Sequence, residues 1–433
     1  MHNKNNKKYV LTAWAICGLG ALFYAYEYLL RISPSAMEPA LRAHFNLSAT
    51  GFGLLSAAYY YAYVPMQLPV GVLMDRFGPR RLLTLACFIC VVGAFMFAGT
   101  DLFAVAASGR FLLGIGSAFA FVGVLKLATI WLPEDKLGMV AGLTAALGTM
   151  GAMFGDNVLG GMVESSGWQN TIKYTVIFGL FLMAVLWFCI HDHKRDLKSG
   201  GTIDSFKKNM ADLGIILREK QIWINGMYGC LVYLPTTIFA ELWGIPYFTN
   251  AHGLSPADAG FANSMLFFGF MVGAPTMGFI SDKIKRRKLP MLIGAIGASI
   301  LMSMILYLPG LNTMSLYTLL FLLGLFYSAQ AIVFAVGREL SPSEAAGTAI
   351  ATTNMIVMIG AIFLQPLVGH LLDWSSRHHH LMTSVPVLPV DTMQKLYLAA
   401  DYQVALAILP IGILIAAILV GFFIKETHAH APK

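Results

Sequence analysis

Residues 71–81 read Gly71-Val-Leu-Met-Asp75-Arg76-Phe-Gly78-Pro-Arg80-Arg81, and they close an apolar run that begins near residue 48. The run is longer than the ~18 residues that make a membrane-spanning helix. It ends abruptly in one carboxylate and three arginines, as a helix does when it leaves lipid for a charged interface. The pattern recurs. Twelve apolar runs occupy roughly 10–38, 48–73, 82–100, 103–131, 138–162, 171–190, 221–248, 257–281, 289–308, 312–336, 346–372 and 402–424 of the 433 residues. The chain is 57% hydrophobic and 12% charged, against about 25% charged in soluble proteins, so a water-facing surface is excluded. Only helices satisfy every backbone group over such stretches in lipid. The expected fold is all-α, with twelve transmembrane helices.

The basic residues set the orientation. With the N-terminus cytoplasmic, 22 of the 29 Lys and Arg fall at inner ends and loops, including Lys283, Lys285, Arg286, Arg287 and Lys288. Arg42, Lys173, Arg377 and Lys395 fall outside, and Arg31, Arg110 and Lys126 lie within spans. This is the positive-inside bias, and it predicts both termini in the cytoplasm of a cell with the protein in its inner membrane. It also explains the net charge of +7 through anionic lipid, without nucleic acid. The first run has a basic lead but is too long for a signal peptide, and no small-residue cleavage site follows. The five cysteines lie in or beside apolar spans; Cys87 and Cys90 have CxxC spacing but no second ligand pair. His378, His379 and His380 are adjacent and cannot share a helical face, so no metal site is expected. No GxxxxGK[ST] loop is present, which argues against ATP-driven transport. No cofactor is expected, and nothing suggests enzymatic chemistry.

The longest polar stretch, 191–220, divides the chain into an N-terminal six-helix bundle, 1–190, and a C-terminal one, 221–433; an amphipathic segment is expected near 206–217. The halves repeat. Gly71…Asp75-Arg76 recurs as Gly278…Asp282-Lys283, an offset of 207, and Trp168 recurs as Trp374, an offset of 206. Parallel six-helix repeats with a substrate site at their interface are a standard transporter plan.

On these motifs the chain resembles the major facilitator superfamily. The 71–81 stretch matches its loop 2–3 signature, with Pro79 where a basic residue is usual, and Asp282 marks the weaker second copy. Arg110 and Gly114 match its helix 4 motif. The resemblance implies two pseudo-symmetric six-helix bundles and a gate at the cytoplasmic end, for which Asp75, Arg76, Arg80, Arg110 and Asp282 are the candidates. Gly71 is read as letting helix 2 approach a neighbour closely. Exporter-type members usually carry Gly-Pro in helix 5; here Gly155-Asp156 stands instead, which tilts the reading to uptake.

Ionisable groups inside spans are costly and usually functional. Helix 1 carries Tyr24-Ala-Tyr26-Glu27-Tyr28-Leu-Leu-Arg31, with Glu27 and Arg31 at i,i+4 on one face with Tyr24 and Tyr28. A guanidinium there can clamp a carboxylate bidentately. Such an Arg is similar to the anion/cation symporter branch of the superfamily, which carries organic and sugar acids. That branch places an acid just before the Arg and a proton-coupling carboxylate on helix 4, where this chain has Leu30 and Ser117. Proton coupling is therefore sought at Glu27, then Glu241, then Asp156. Substrate-binding candidates are Arg31, Tyr28, Tyr24, Tyr60, Lys126, Gln330 and Asn354. Two of Tyr59, Tyr60, Tyr61 and Tyr63 are expected to line a cavity, and Pro246 suggests a broken helix near Glu241. The expectation is a monomeric secondary transporter working by alternating access. It takes up a small carboxylate-bearing solute with protons, an amino acid or short peptide being favoured over a simple organic acid. Proton-antiport efflux and uniport are the alternatives.

Overall fold

In a computed structural model, residues 7–133, 136–191, 213–342, 345–383 and 397–427 are described. Twelve long helices account for almost all of them: α1 (Lys7–Ala36), α2 (Ala49–Phe77), α3 (Pro79–Ala98), α4 (Phe103–Trp131), α5 (Leu137–Ser166), α6 (Trp168–Cys189), α7 (Lys220–Ala251), α8 (Pro256–Ile284), α9 (Lys288–Tyr307), α10 (Thr313–Glu339), α11 (Ala346–Thr383) and α12 (Ala399–Phe423). Each expected apolar run lies on one of them. Eleven are long and apolar enough to cross a membrane. The twelfth, α2, has the length but is diluted by Ser56, four tyrosines and Gln67, and it is largely buried in the bundle. Most of the 191–220 stretch, including most of the expected amphipathic segment, lies outside the described residues, as do Lys395 and the side chain of His380.

Short connections make successive helices antiparallel, so both ends of the described chain lie at one end of the molecule, with Asp75, Arg80 and the 283–288 cluster. We call this the basic end, and the opposite one the far end. A short helix, Glu38–Phe45, joins α1 to α2 at the far end. Two helices run beyond expectation. α11 continues to Thr383, past the predicted limit of 372. α7 is not broken at Pro246; its irregularity comes earlier, as a π-helical stretch over Pro235–Trp243. Such widened turns occur at functional sites, and this one carries Glu241.

Small residues set the helix crossings, but not the one expected. A Cβ on Gly71 or Gly278 would meet nothing within 4 Å, so neither glycine is a contact point here. Among the close approaches are Gly114, whose Cβ would lie 2.0 Å from the Tyr59 carbonyl oxygen, and Gly53, 2.6 Å from that of Gln365. The first presses α4 on α2 within a half, and the second presses α2 on α11 across the halves. Gly114→Ala must push these backbones apart. We expect a loss of about 1–3 kcal/mol, visible as a lowered unfolding midpoint in detergent, with Gly71→Ala close to wild type.

The bonds joining the halves run from the middle of the molecule to the far end. Asp373 on α11 accepts from the Ala49 and Thr50 amides (3.1 and 2.9 Å) and from the Thr50 hydroxyl, capping α2 from across the seam. Ser35 donates to the Leu242 carbonyl at 3.0 Å, and Arg42 to the Tyr397 hydroxyl at 3.2 Å. The far end is closed.

Candidate functional site

Midway along the seam, α1 presents Glu27 and Arg31 one turn apart, and the structure pairs them at 3.0 Å. The second arm of the same guanidinium lies 3.8 Å from Glu241 on α7. One buried arginine therefore stands between a carboxylate of its own half and one of the other. All three are essentially inaccessible, at 0, 3 and 1% exposure for Glu27, Arg31 and Glu241.

Tyrosines wall the charges. Tyr59 donates to Glu27 at 3.2 Å, and its neighbour Tyr60 donates to Glu241. Successive positions on a helix face about 100° apart, so α2 can hold both carboxylates at once. The guanidinium carbon sits 4.5, 5.2 and 4.9 Å from the ring centres of Tyr28, Tyr59 and Tyr63. Three of the four α2 tyrosines thus face inward, not two, and Tyr61 faces outward. Tyr24 stacks on Tyr28 (6.1 Å between centres) and extends the wall toward the basic end. Arg31 Nε and Glu241 Oε1 are both buried with no hydrogen-bond partner among the described residues. One turn along α2, Gln67 accepts from Asn354 of α11 at 3.0 Å, and its own Nε2 is likewise buried and unpartnered. Sequence reasoning missed Gln67, because a lone glutamine in a span carries no motif.

Other candidates sit elsewhere. Arg110, grouped by sequence with the gate, is instead buried beside Arg31 and donates to the Leu30 and Arg31 carbonyls at 3.0 and 3.1 Å, fixing α1. Lys126, grouped with the substrate, pairs with Asp75 at the basic end at 2.7 Å. Asp156 accepts from Asn263 of α8 at 2.8 Å, on the α5–α8 seam and not in the arginine cage. Gln330 is buried in a 3₁₀ stretch of α10, Ser328–Ala331, with no hydrogen bond to the cage. At the basic end, Arg80 donates to the Trp187 carbonyl at 3.0 Å and covers its ring, and Arg76 lies over Phe77. In the second half Arg287 joins Asp282 and Glu339, each at 2.6 Å. The Asp75–Lys126 and Asp282–Arg287–Glu339 sets each stay within their own half. His379 meets Asp401 at 2.6 Å, an acidic partner the sequence did not reveal. No cluster of three or more metal-ligating side chains occurs among the described residues.

Two six-helix halves closed over a buried charge pair, with polar groups from both halves around it, define a membrane transporter. The chain belongs to the Major Facilitator Superfamily, whose family model matches residues 16–363 and 228–433. It is 26% identical over 403 residues to a protein of Escherichia coli (strain K12) named as a probable galactarate/D-glucarate transporter, covering 85% of this chain and 90% of that one. It is 25% identical over 297 residues to one of Cupriavidus necator named as a probable sulfoacetate transporter, covering 65% and 67%. It is 25% identical over 388 residues to a lysosomal dipeptide transporter of Pongo abelii, covering 84% and 79%. In fold it is similar to a bacterial homologue of the human lysosomal transporter Spinster (TM-score 0.76, 15% identity, 96% and 97% covered). It is also similar to a D-xylose–proton symporter (TM-score 0.72, 15% identity, 97% and 99% covered).

Proposed function

We propose that the protein is a proton-coupled importer of a small carboxylate-bearing solute, with the basic end in the cytoplasm and one molecule as the working unit. The observation that carries this is Arg31 held between Glu27 and Glu241. An arriving carboxylate takes the guanidinium from one of its partners. The displaced carboxylate then stands buried without its cation, which costs several kcal/mol unless it takes a proton. Substrate and proton therefore favour each other. Because Glu241 belongs to the second half, any drawing of Arg31 towards the substrate also strains its contact with Glu241 across the seam, and alternating access requires such ties to break.

Of the two carboxylate classes, an organic acid is favoured over an amino acid or peptide. Glu27 is taken by Arg31 and Tyr59. Glu241 is shared between Tyr60 and Arg31 with only its Oε1 lacking a hydrogen bond, so an ammonium group would have to compete with Arg31 for its anion. Asn354 and the unpartnered Gln67 amide can read hydroxyl groups instead. Two relatives named for sugar-acid and sulfonated-acid transport agree with this choice. The test is counterflow of labelled hydroxy acids, amino acids and dipeptides in liposomes. Exchange of hydroxy acids alone supports the reading. Exchange of amino acids or dipeptides moves the substrate class, and solute extrusion driven by protons entering from the opposite side makes the protein an exporter.

Asp75 belongs to a gate in this reading. Its carboxylate, now on Lys126, is placed to meet a helix N-terminus of the second half when the basic end closes. Asp75→Asn should slow turnover about tenfold while changing substrate affinity less than threefold. Unchanged turnover with collapsed binding removes Asp75 from the gate.

A further inference from the structure

At the basic end a cavity of about 490 Å³ opens between the start of α9 and the end of α12. Lys285, Arg286 and Lys288 line it on one side, and Leu289, Leu292 and Val420 form its apolar wall. Its one carboxylate, Glu426, is already committed: it accepts the Arg287 and Lys288 amides at 2.7 and 3.2 Å, capping α9. Lys288 Nζ reaches the Gly421 carbonyl at 3.2 Å. Arg287 is taken by Asp282 and Glu339. Lys285 and Arg286 are exposed and meet no carboxylate among the described residues. Lys285 is the left-handed C-cap of α8 (φ 52°), so the chain turns sharply there and places the two cations side by side in sequence at the mouth of the cleft.

The surroundings are those of the lipid boundary. Phe422 and Phe423 at the end of α12 are 82 and 56% exposed, and Leu289 and Ile284 also face outward. Cations beside an apolar wall at a helix end match a phosphodiester headgroup with its acyl chains alongside. We propose that this cleft binds an anionic phospholipid of the leaflet at the basic end, with Lys285 and Arg286 on the phosphate and Leu289, Leu292 and Val420 along a chain. The occupant is a lipid and not a free phosphate because the apolar wall continues into exposed side chains that only lipid covers.

The experiment uses the purified full chain, delipidated in detergent, with phosphatidylglycerol and phosphatidylcholine of identical acyl chains as probes. Wild type should bind phosphatidylglycerol at least tenfold more tightly than phosphatidylcholine. Lys285→Gln with Arg286→Gln should lose that preference, whereas Arg218→Gln with Lys220→Gln, exposed cations of the same end outside the cleft, should keep it. A second readout needs no variant: photoactivatable phosphatidylglycerol should crosslink the wild type on α9 and α12. Retained preference in the Lys285/Arg286 variant, or crosslinks only elsewhere, overturns the proposal. Competition by glycerol phosphate as strong as by the lipid also overturns it, leaving a soluble phosphate site.

Discussion

Arg31→Lys is expected to lower the transport efficiency for carboxylate solutes by about 100-fold, roughly 3 kcal/mol. The guanidinium does three things that an ammonium cannot do together. It reaches Glu27 at 3.0 Å and Glu241 at 3.8 Å with different nitrogens. Its central carbon sits 4.5, 5.2 and 4.9 Å from the Tyr28, Tyr59 and Tyr63 ring centres, where a planar delocalised cation is favoured. It has in Nε a further donor to offer a ligand oxygen. A lysine supplies the charge as a point, satisfies one carboxylate, and leaves the other buried with only its tyrosine. Arg110, anchored on the backbone of residues 30 and 31, keeps α1 in place, so the loss should be one of function and not of folding. The measurement is uptake by liposomes beside an unfolding midpoint. Wild-type affinity for carboxylate solutes in this variant removes Arg31 from the binding site.

Glu27→Gln should abolish accumulation driven by an inward proton gradient while leaving at least a tenth of wild-type exchange at symmetric pH. The charge count gives the reason. Arg31 and Arg110 balance Glu27 and Glu241 inside the cage, so a substrate carboxylate is the one uncompensated charge. A proton on a cage carboxylate restores neutrality. Glutamine mimics the protonated acid permanently, so binding and exchange survive, but no proton is carried. The proton is placed on Glu27 before Glu241 because Glu27 shares a helix face with Arg31 and makes the shorter contact with it. Glu241→Gln should instead weaken the tie between the halves and alter exchange rate at both pH values. If Glu27→Gln accumulates substrate with undiminished proton dependence, the proton site moves to Glu241 or Asp156. If the wild type shows no response to a pH gradient, the protein is a uniporter.

The local chemistry of the chain was enough for the architecture. Apolar runs of membrane length have one solution in lipid, the helix, and the basic loops order them. The Gly71–Arg81 signature and its echo at Gly278–Lys283 carried the two-half plan, because a duplicated fold leaves its period in the sequence. Glu27 and Arg31 were legible as a pair for the same reason: a spacing of four is local information. What crosses between elements was not legible. That Glu241 shares the arginine, that Tyr59 and Tyr60 split between two carboxylates, and that Gln67 meets Asn354 all depend on how α2, α7 and α11 pack against α1. Lys126 shows the same limit in reverse. Its place in a span suggested the cavity, and only the crossing of α2 and α4 gives it to Asp75. Gly71 belongs to the signature yet a Cβ there would meet nothing within 4 Å, while Gly53 and Gly114 lie against the backbone of a crossing helix. Sequence determines which residues can enter a membrane and which face of its own helix each occupies; the register and rotation of one helix against another decide which charges meet, because those depend on packing summed over the whole bundle.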